Sequence, residues 1–157
     1  MQLRVRRSRI EDLPEVCRLE RACFKHPYPP QLLYMFMTLY PELFLIAECE
    51  GRVVGYVCGV VRRDGFGHIV SICVDPGYRR RGIGRTLMES IERVFREVFN
   101  ICRFRLEVRV SNVAAIKLYE KLGFKIARRL RSYYLDGEDA YLMIKDLCVD
   151  KSKNVGS

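Results

Sequence analysis

Between Val74 and Gly84 the chain reads Val-Asp-Pro-Gly-Tyr-Arg-Arg-Arg-Gly-Ile-Gly, a run whose residue types suit the holding of an anion. An apolar strand ends, a turn intervenes and a helix begins. The first N–H groups of a helix have no intrahelical partner and sit at the positive end of its dipole, while glycines keep side chains out of the way of an approaching phosphate. Three consecutive arginines add positive charge. The competing reading of an isolated Gly-x-Gly is a solvated basic loop.

Two nucleotide signatures are excluded. Gly82-x-Gly84 is followed by Leu87 where a dinucleotide fingerprint needs a third small residue, and no Gly-Lys-Ser/Thr follows for a P-loop. A second group of candidates lies downstream. Alternation along Phe104–Val110 puts Phe104, Leu106, Val108 and Val110 on one face and Glu107, with Arg105 and Arg109, on the other. Glu107 is thus a potential base or a plain ion-pair partner of those arginines. Tyr119 shares helical spacing with Ala115, Leu118 and Leu122, so it is a potential proton donor or an ordinary core residue. His68 opens the strand that leads to the glycine turn, where a lone histidine is usually structural.

The elements that position these residues follow from periodicity. Leu3–Arg6 alternates as an opening strand, and Leu13, Val16, Cys17 and Phe24 recur at helical spacing; Pro14 is tolerated only in a first turn, so the helix is expected to begin near Glu11. His26-Pro27-Tyr28-Pro29-Pro30 breaks the chain, and a short, unusually apolar helix spans 31–40. Phe44–Cys49, Val53–Val61 and His68–Val74, separated by Glu50-Gly51-Arg52 and Arg63-Asp64-Gly65, read as an antiparallel meander. Ile83, Leu87, Ile91, Val94, Phe95 and Val98 trace one face of a long helix over 82–99; a strand over 104–110, a helix over 112–122 closed by Gly123, and strands over 124–134 and 140–144 complete the chain. A meander followed by strands alternating with helices predicts an α/β (α+β) fold with a mixed sheet flanked by helices.

The chain has 157 residues, enough for one domain with a sizeable core, and a formal net charge of +9. That charge suits acidic partners such as a nucleotide cofactor, the ribosome or nucleic acid, without choosing among them. No apolar run reaches the length of a membrane span, and the start lacks the apolar stretch of a secretion signal, so a cytoplasmic setting and no membrane partner are expected. The seven cysteines include no Cys-x-x-Cys pair; they are read as buried free thiols, with no metal.

Arg79-x-x-Gly82-x-Gly84 after an apolar strand resembles the pyrophosphate-binding motif of the GNAT superfamily of N-acetyltransferases. Leu106–Asn112, Ala115-x-x-Leu118-Tyr119-Glu120-Lys121-Leu122-Gly123-Phe124 and Tyr133–Met143 are similar to ribosomal-protein alanine acetyltransferases and archaeal protein N-α-acetyltransferases, and the likeness runs from the first strand to about Lys145. It implies a GNAT domain over 1–147, with a mostly antiparallel seven-stranded sheet and about four helices, followed by a disordered tail over 148–157. It implies acetyl-CoA as the donor, its diphosphate wrapped by Arg79, Arg80, Arg81, Gly82, Ile83, Gly84 and Arg85 and its pantetheine arm along Ile72, Cys73 and Val74. Asn112 and Tyr119, almost two helical turns apart, would both face the cofactor. The resemblance further implies Tyr119 as the acid for the departing thiolate, Glu107 as the base acting through water, His68 in the proton relay, and Tyr28, Leu32, Tyr133 and Tyr134 around the first residues of a protein N-terminus.

Some relatives carry a glutamate near the position of His26, which leaves open the preference for Ser, Ala or Met starts. Two other readings stand beside α-amino acetylation: the same fold acting on a lysine side chain, polyamine or other small amine, and a non-enzymatic basic module for RNA or ribosomes. Basic residues spread along the chain, without an aromatic RNA-binding signature, argue against sequence-specific nucleic-acid binding; docking on ribosomes remains compatible with the charge.

Overall fold

The computed structural model describes residues 2–149. Seven strands, β1 (Leu3–Arg7), β2 (Phe44–Cys49), β3 (Arg52–Val61), β4 (Gly67–Val74), β5 (Arg103–Arg109), β6 (Lys125–Leu130) and β7 (Ala140–Asp146), form one sheet in the order β1-β2-β3-β4-β5-β7-β6. Four helices, α1 (Leu13–Cys23), α2 (Pro30–Leu39), α3 (Ile83–Phe99) and α4 (Val113–Lys121), cover its two faces. Among these described residues no helix is long and apolar enough to cross a membrane.

Every strand pair is antiparallel except β4–β5. A parallel pair needs a crossover, and α3 supplies it. The pairing of β4 with β5 is short: only Gly67↔Phe104 and His68↔Arg105 are in register, whereas β5 pairs with β7 along its whole length. The reason lies in β4. Its register with β3 passes from Cys58↔Ser71 to Gly59↔Ile69, skipping Val70, and such a bulge bends the strand that carries it. Beyond His68 the two strands therefore part, leaving a V-shaped notch at the carboxyl ends of this parallel pair.

Two cores hold this split sheet. On one face Ile83, Leu87, Met88, Ile91 and Phe95 of α3 pack with Phe104, Leu106 and Val108 of β5, Tyr119 of α4 and Phe124. On the other, Val16, Cys17 and Leu19 of α1 and Leu33 and Met37 of α2 pack with Phe44, Ile46, Tyr56, Cys58 and Cys73.

Three expectations are corrected. First, α1 begins at Leu13, not near Glu11; Ile10–Asp12 forms a 3-10 turn in which the Asp12 carboxylate accepts the Arg9 N–H (2.7 Å) and two N–H donors of Arg6 (2.8 and 2.9 Å), which tightens the entry ahead of Pro14. Second, the strand expected to reach Tyr134 ends at Leu130, because Ser132 takes a left-handed φ of 50° and its N–H turns back to the Asp139 carboxylate (2.8 Å). Third, Cys17, Cys49 and Cys58 are free and buried as expected, but Cys23–Cys73 and Cys102–Cys148 are disulfides. Of the tail expected from residue 148 onward, Cys148 is thus bonded to Cys102, the residue before β5, and residues 150–157 lie outside the described residues.

The Cys102–Cys148 bridge joins residues 46 apart, and closing a loop of that length in the unfolded chain stabilises the fold by about 2–4 kcal/mol. A Cys102→Ser/Cys148→Ser variant is expected to unfold at correspondingly lower urea. An unchanged midpoint would show that the bridge contributes nothing.

Candidate active site

The notch between β4 and β5 gathers most of the anticipated residues. His68 sits where the strands separate, and Glu107 projects from β5 just beyond, with the imidazole Nε2 and the carboxylate Oε2 2.7 Å apart. The guanidinium of Arg62, at the carboxyl end of β3, donates to His68 Nδ1 through Nε (3.0 Å) and Nη2 (2.8 Å). Because Nδ1 accepts from a group that has only donors, the ring proton resides on Nε2 and points at Glu107. Neither Arg105 nor Arg109 pairs with Glu107: Arg105 binds Asp64 (2.8 Å), and Arg109 binds Asp136 (2.9 Å) and Glu138 (2.7 Å). The carboxylate is thereby held by one neutral donor rather than quenched by a cation.

At the mouth of the notch β4 runs into the glycine turn. Gly82 caps α3 with a φ of 80°, which favours glycine, and no side chain caps the helix. The N–H groups of Ile83, Gly84 and Arg85 in the first turn therefore have no helical acceptor. Gly84 has a packing reason as well: a Cβ there would stand 3.3 Å from Leu118 Cδ2, so the glycine lets α3 and α4 meet closely. The arginines are deployed differently from one another. Arg79 lies across the strand end, donating to the Val74 carbonyl (3.2 Å), Arg81 stacks over the Tyr78 ring at 5.0 Å, Arg85 pairs with Glu89 (2.7 Å), and Arg80 is exposed with a left-handed φ of 64°. Along Ile72, Cys73 and Val74 the sheet is paired to β3 only, so the edge facing β5 is not part of a ladder.

Asn112 and Tyr119 stand at opposite ends of α4. The Asn112 carboxamide caps the helix, accepting the Ala115 N–H (3.3 Å), which commits its oxygen to structure. Tyr119 is buried in the α3-side core, its ring edge-on to Phe124 at 6.1 Å. Since Leu106 and Val108 of β5 belong to that same core, Glu107 and Tyr119 lie on opposite sides of the sheet.

Two loops wall the Glu107 side. Tyr28 lies between α1 and α2 with its ring edge-on to Phe36 (5.9 Å), and Leu32 is half-buried in the first turn of α2. Tyr133 and Tyr134 lie between β6 and β7, edge-on to each other at 5.0 Å, and the guanidinium of Arg109 sits 4.1 Å over the Tyr134 ring. Lys25 reaches Asp136 across the gap (3.7 Å), linking the two walls. Burial raises the Tyr134 phenol, the adjacent Tyr133 raises it further, and the Arg109 guanidinium over its ring pulls it down.

Burial pushes the Tyr28 and Tyr119 phenols up to about 12. In an unfolded chain both would ionise near the ordinary tyrosine value of 10.0, so their contribution to stability is intact below that pH and is lost as pH rises from about 10 to about 12. Following tyrosinate absorbance against pH is expected to show these two ionising only near pH 12, with the unfolding midpoint falling over the same window. Ionisation of every tyrosine near pH 10 without unfolding would contradict the burial of Tyr119, the ring of the two that lies in the core.

Sequence reasoning missed Arg62 and the cluster of Arg109, Asp136 and Glu138. Arg62 is two residues past the cross-strand partner of His68, Val60, a relation visible only once the β3–β4 register is known. A concavity of about 1070 Å³ lies elsewhere, on the outer flank of α3 beside Arg93, Arg96, Lys121 and Lys145; of the anticipated site residues only Arg85 lines it.

Comparison with known proteins bears on this geometry. A family model described as Acetyltransferase (GNAT) family matches residues 13–124. An N-alpha-acetyltransferase of Sulfurisphaera tokodaii is 40% identical over 158 residues, covering 93% of this chain and 94% of its own. The solved structure of Ard1 from Thermoplasma volcanium superposes with a TM-score of 0.90 at 31% identity, over 95% of this chain and all (100%) of that one. A chain from a NatC complex bound to Gag peptide and CoA follows, with a TM-score of 0.84 at 28% identity over 94% of this chain and 100% of its own.

Proposed function

The chain belongs to the GNAT acetyltransferase family, and from that premise we propose that it moves the acetyl group of acetyl-CoA directly onto the α-amino group of a protein N-terminus within a ternary complex. The observation that carries this reading is the notch itself: a carboxylate held by a neutral histidine on one side of the split sheet, and a buried phenol on the other. The uncapped α3 N-terminus with its left-handed Gly82 suits a diphosphate, and the unladdered edge of Ile72–Val74 suits an amide-bearing arm. Acetyl-CoA supplies the activated thioester; the rest of the chemistry falls to the chain's own residues.

Transfer requires an uncharged amine, formation of the N–C bond, rupture of the C–S bond and delivery of a proton to sulfur. In this reading Glu107 Oε2 receives the amine proton, directly or through a water. His68 holds that carboxylate in place through Nε2–H, and with Nδ1 occupied by Arg62 the ring orients Glu107 rather than passing a proton onward. Tyr119 donates toward the departing sulfur. Tyr28, Tyr133 and Tyr134, with Leu32 behind them, flank the incoming peptide.

The choice of an α-amine over a lysine rests on proton chemistry. An α-amino group with a pKa near 8 is about one-tenth neutral at pH 7, whereas a lysine near 10.4 is less than about one-thousandth neutral. A carboxylate is a weak base and suits the first. The exposed, cationic β6, with Lys125, Arg128 and Arg129, supports docking on an acidic surface such as the ribosome, where N-termini emerge in the cytoplasm.

Mass spectrometry of short peptides incubated with the protein and acetyl-CoA tests the reading. A gain of one acetyl group at free N-termini, absent from N-blocked peptides containing lysine, is expected. Equal labelling of the blocked peptides would overturn the choice of acceptor.

A further inference from the structure

Glu20 lies in the middle of the apolar stripe of α1, next to Leu19 and one turn from Val16, and is only 1% exposed. A carboxylate in such a place is costly unless its lone pairs are taken. Its partners are the Tyr56 hydroxyl, the Ser71 hydroxyl (3.1 Å) and the main-chain N–H of Tyr28 (2.9 Å), none of them a cation. Packing alone would be served by leucine, which leaves the hydrogen bonds as what the carboxylate adds.

The bond to Tyr28 stands out because of its surroundings. In Pro27-Tyr28-Pro29-Pro30 three of four residues have no N–H, so the Tyr28 amide is the sole main-chain donor of the segment. The segment that carries the Tyr28 ring against Phe36 is therefore fixed to the sheet through Glu20, whose other two partners sit on β3 and on β4 just past the bulge. The Cys23–Cys73 bridge ties the end of α1 to the same strand, so the base on which Glu20 stands is itself held.

We propose that Glu20 is a positioning residue of the peptide groove: by accepting the Tyr28 amide it sets the Tyr28 ring against Phe36 in the groove wall, and so governs acceptance of the N-terminal substrate without touching acetyl-CoA. This rests on the α-amino acetyltransferase reading for its kinetic consequence but not for its structural one.

Glu20→Leu fills the same space without an acceptor, and Glu20→Gln keeps one carbonyl oxygen for the Tyr28 amide. Steady-state kinetics with a free-N-terminus peptide at saturating acetyl-CoA are expected to show the peptide KM raised about tenfold in Glu20→Leu and largely restored in Glu20→Gln, with the calorimetric Kd for acetyl-CoA unchanged in both. Hydrogen exchange supplies a readout independent of turnover: the Tyr28 amide, slow in the wild type, should exchange at least about tenfold faster in Glu20→Leu while the amides of β3 and β4 keep their protection. Should Glu20→Leu fail to fold, Glu20→Gln and exchange in the wild type carry the test. A folded Glu20→Leu with wild-type peptide KM, a parallel loss of acetyl-CoA affinity, or a wild-type Tyr28 amide that exchanges as fast as open chain would each overturn the assignment. Absence of peptide acetylation by the wild type together with a protected Tyr28 amide would sink the proposed function and leave the anchoring by Glu20 standing.

Discussion

Glu107→Gln is expected to lower kcat for peptide acetylation by about 10²–10⁴-fold, the usual range for a positioned general base, while the Kd for acetyl-CoA stays within about twofold. The substitution isolates proton acceptance because glutamine preserves nearly everything else. Its carbonyl oxygen still accepts the Nε2–H of His68, and Arg62 still fixes the ring from the other side. No ion pair of a cation is broken, since Arg105 pairs with Asp64 and Arg109 with Asp136 and Glu138. What glutamine lacks is the ability to take a proton from the amine. Were Glu107 only a partner for His68, the variant would lose some thermal stability and keep its turnover. Measuring kcat at saturating peptide together with the unfolding midpoint separates these outcomes.

The parts of the molecule that local periodicity specifies were legible in the sequence. The apolar face of α3 from Ile83 to Phe95, the meander of β2 to β4 and the glycine turn follow from spacing and turn chemistry within a dozen residues. The notch was not, because it arises from a one-residue bulge at Val70 that leaves no mark in composition. The partners that define the site were also hidden: Arg62 meets His68 through strand register, and Lys25 meets Asp136 across two loops 111 residues apart in sequence (136 − 25 = 111). The cysteines misled for a related reason. Their spacing excluded compact metal motifs, yet Cys23–Cys73 and Cys102–Cys148 join residues 50 and 46 apart, pairings that only the folded chain brings together. Tyr119 was ambiguous in the sequence because helical spacing describes a core ring and a proton donor equally well; the structure packs it in the α3-side core against Phe124.

That dual character makes Tyr119→Phe informative. Phenylalanine retains the ring against Phe124 and removes one oxygen, so stability should change by no more than about 1–2 kcal/mol. Turnover should fall much further, by about 10²–10³-fold, the cost typical of losing a donor aimed at developing negative charge. The size follows from proton affinities. Burial holds the phenol near 12, so at neutral pH it carries its proton, whereas a thiol is ordinarily near 8.5. Full transfer from such a phenol to a thiolate runs uphill by more than three pK units, about 4–5 kcal/mol, so in the proposed reaction the hydroxyl would donate a hydrogen bond to sulfur as the C–S bond breaks and the released thiolate would take its proton from water. Two consequences distinguish this from a detached acid: the rate should show no alkaline limb from Tyr119 below about pH 12, and the variant should lose kcat with acetyl-CoA affinity little changed. A Tyr119→Phe protein that folds normally and turns over at the wild-type rate would reduce this residue to core packing and leave the thiolate to be stabilised by some other group in the notch.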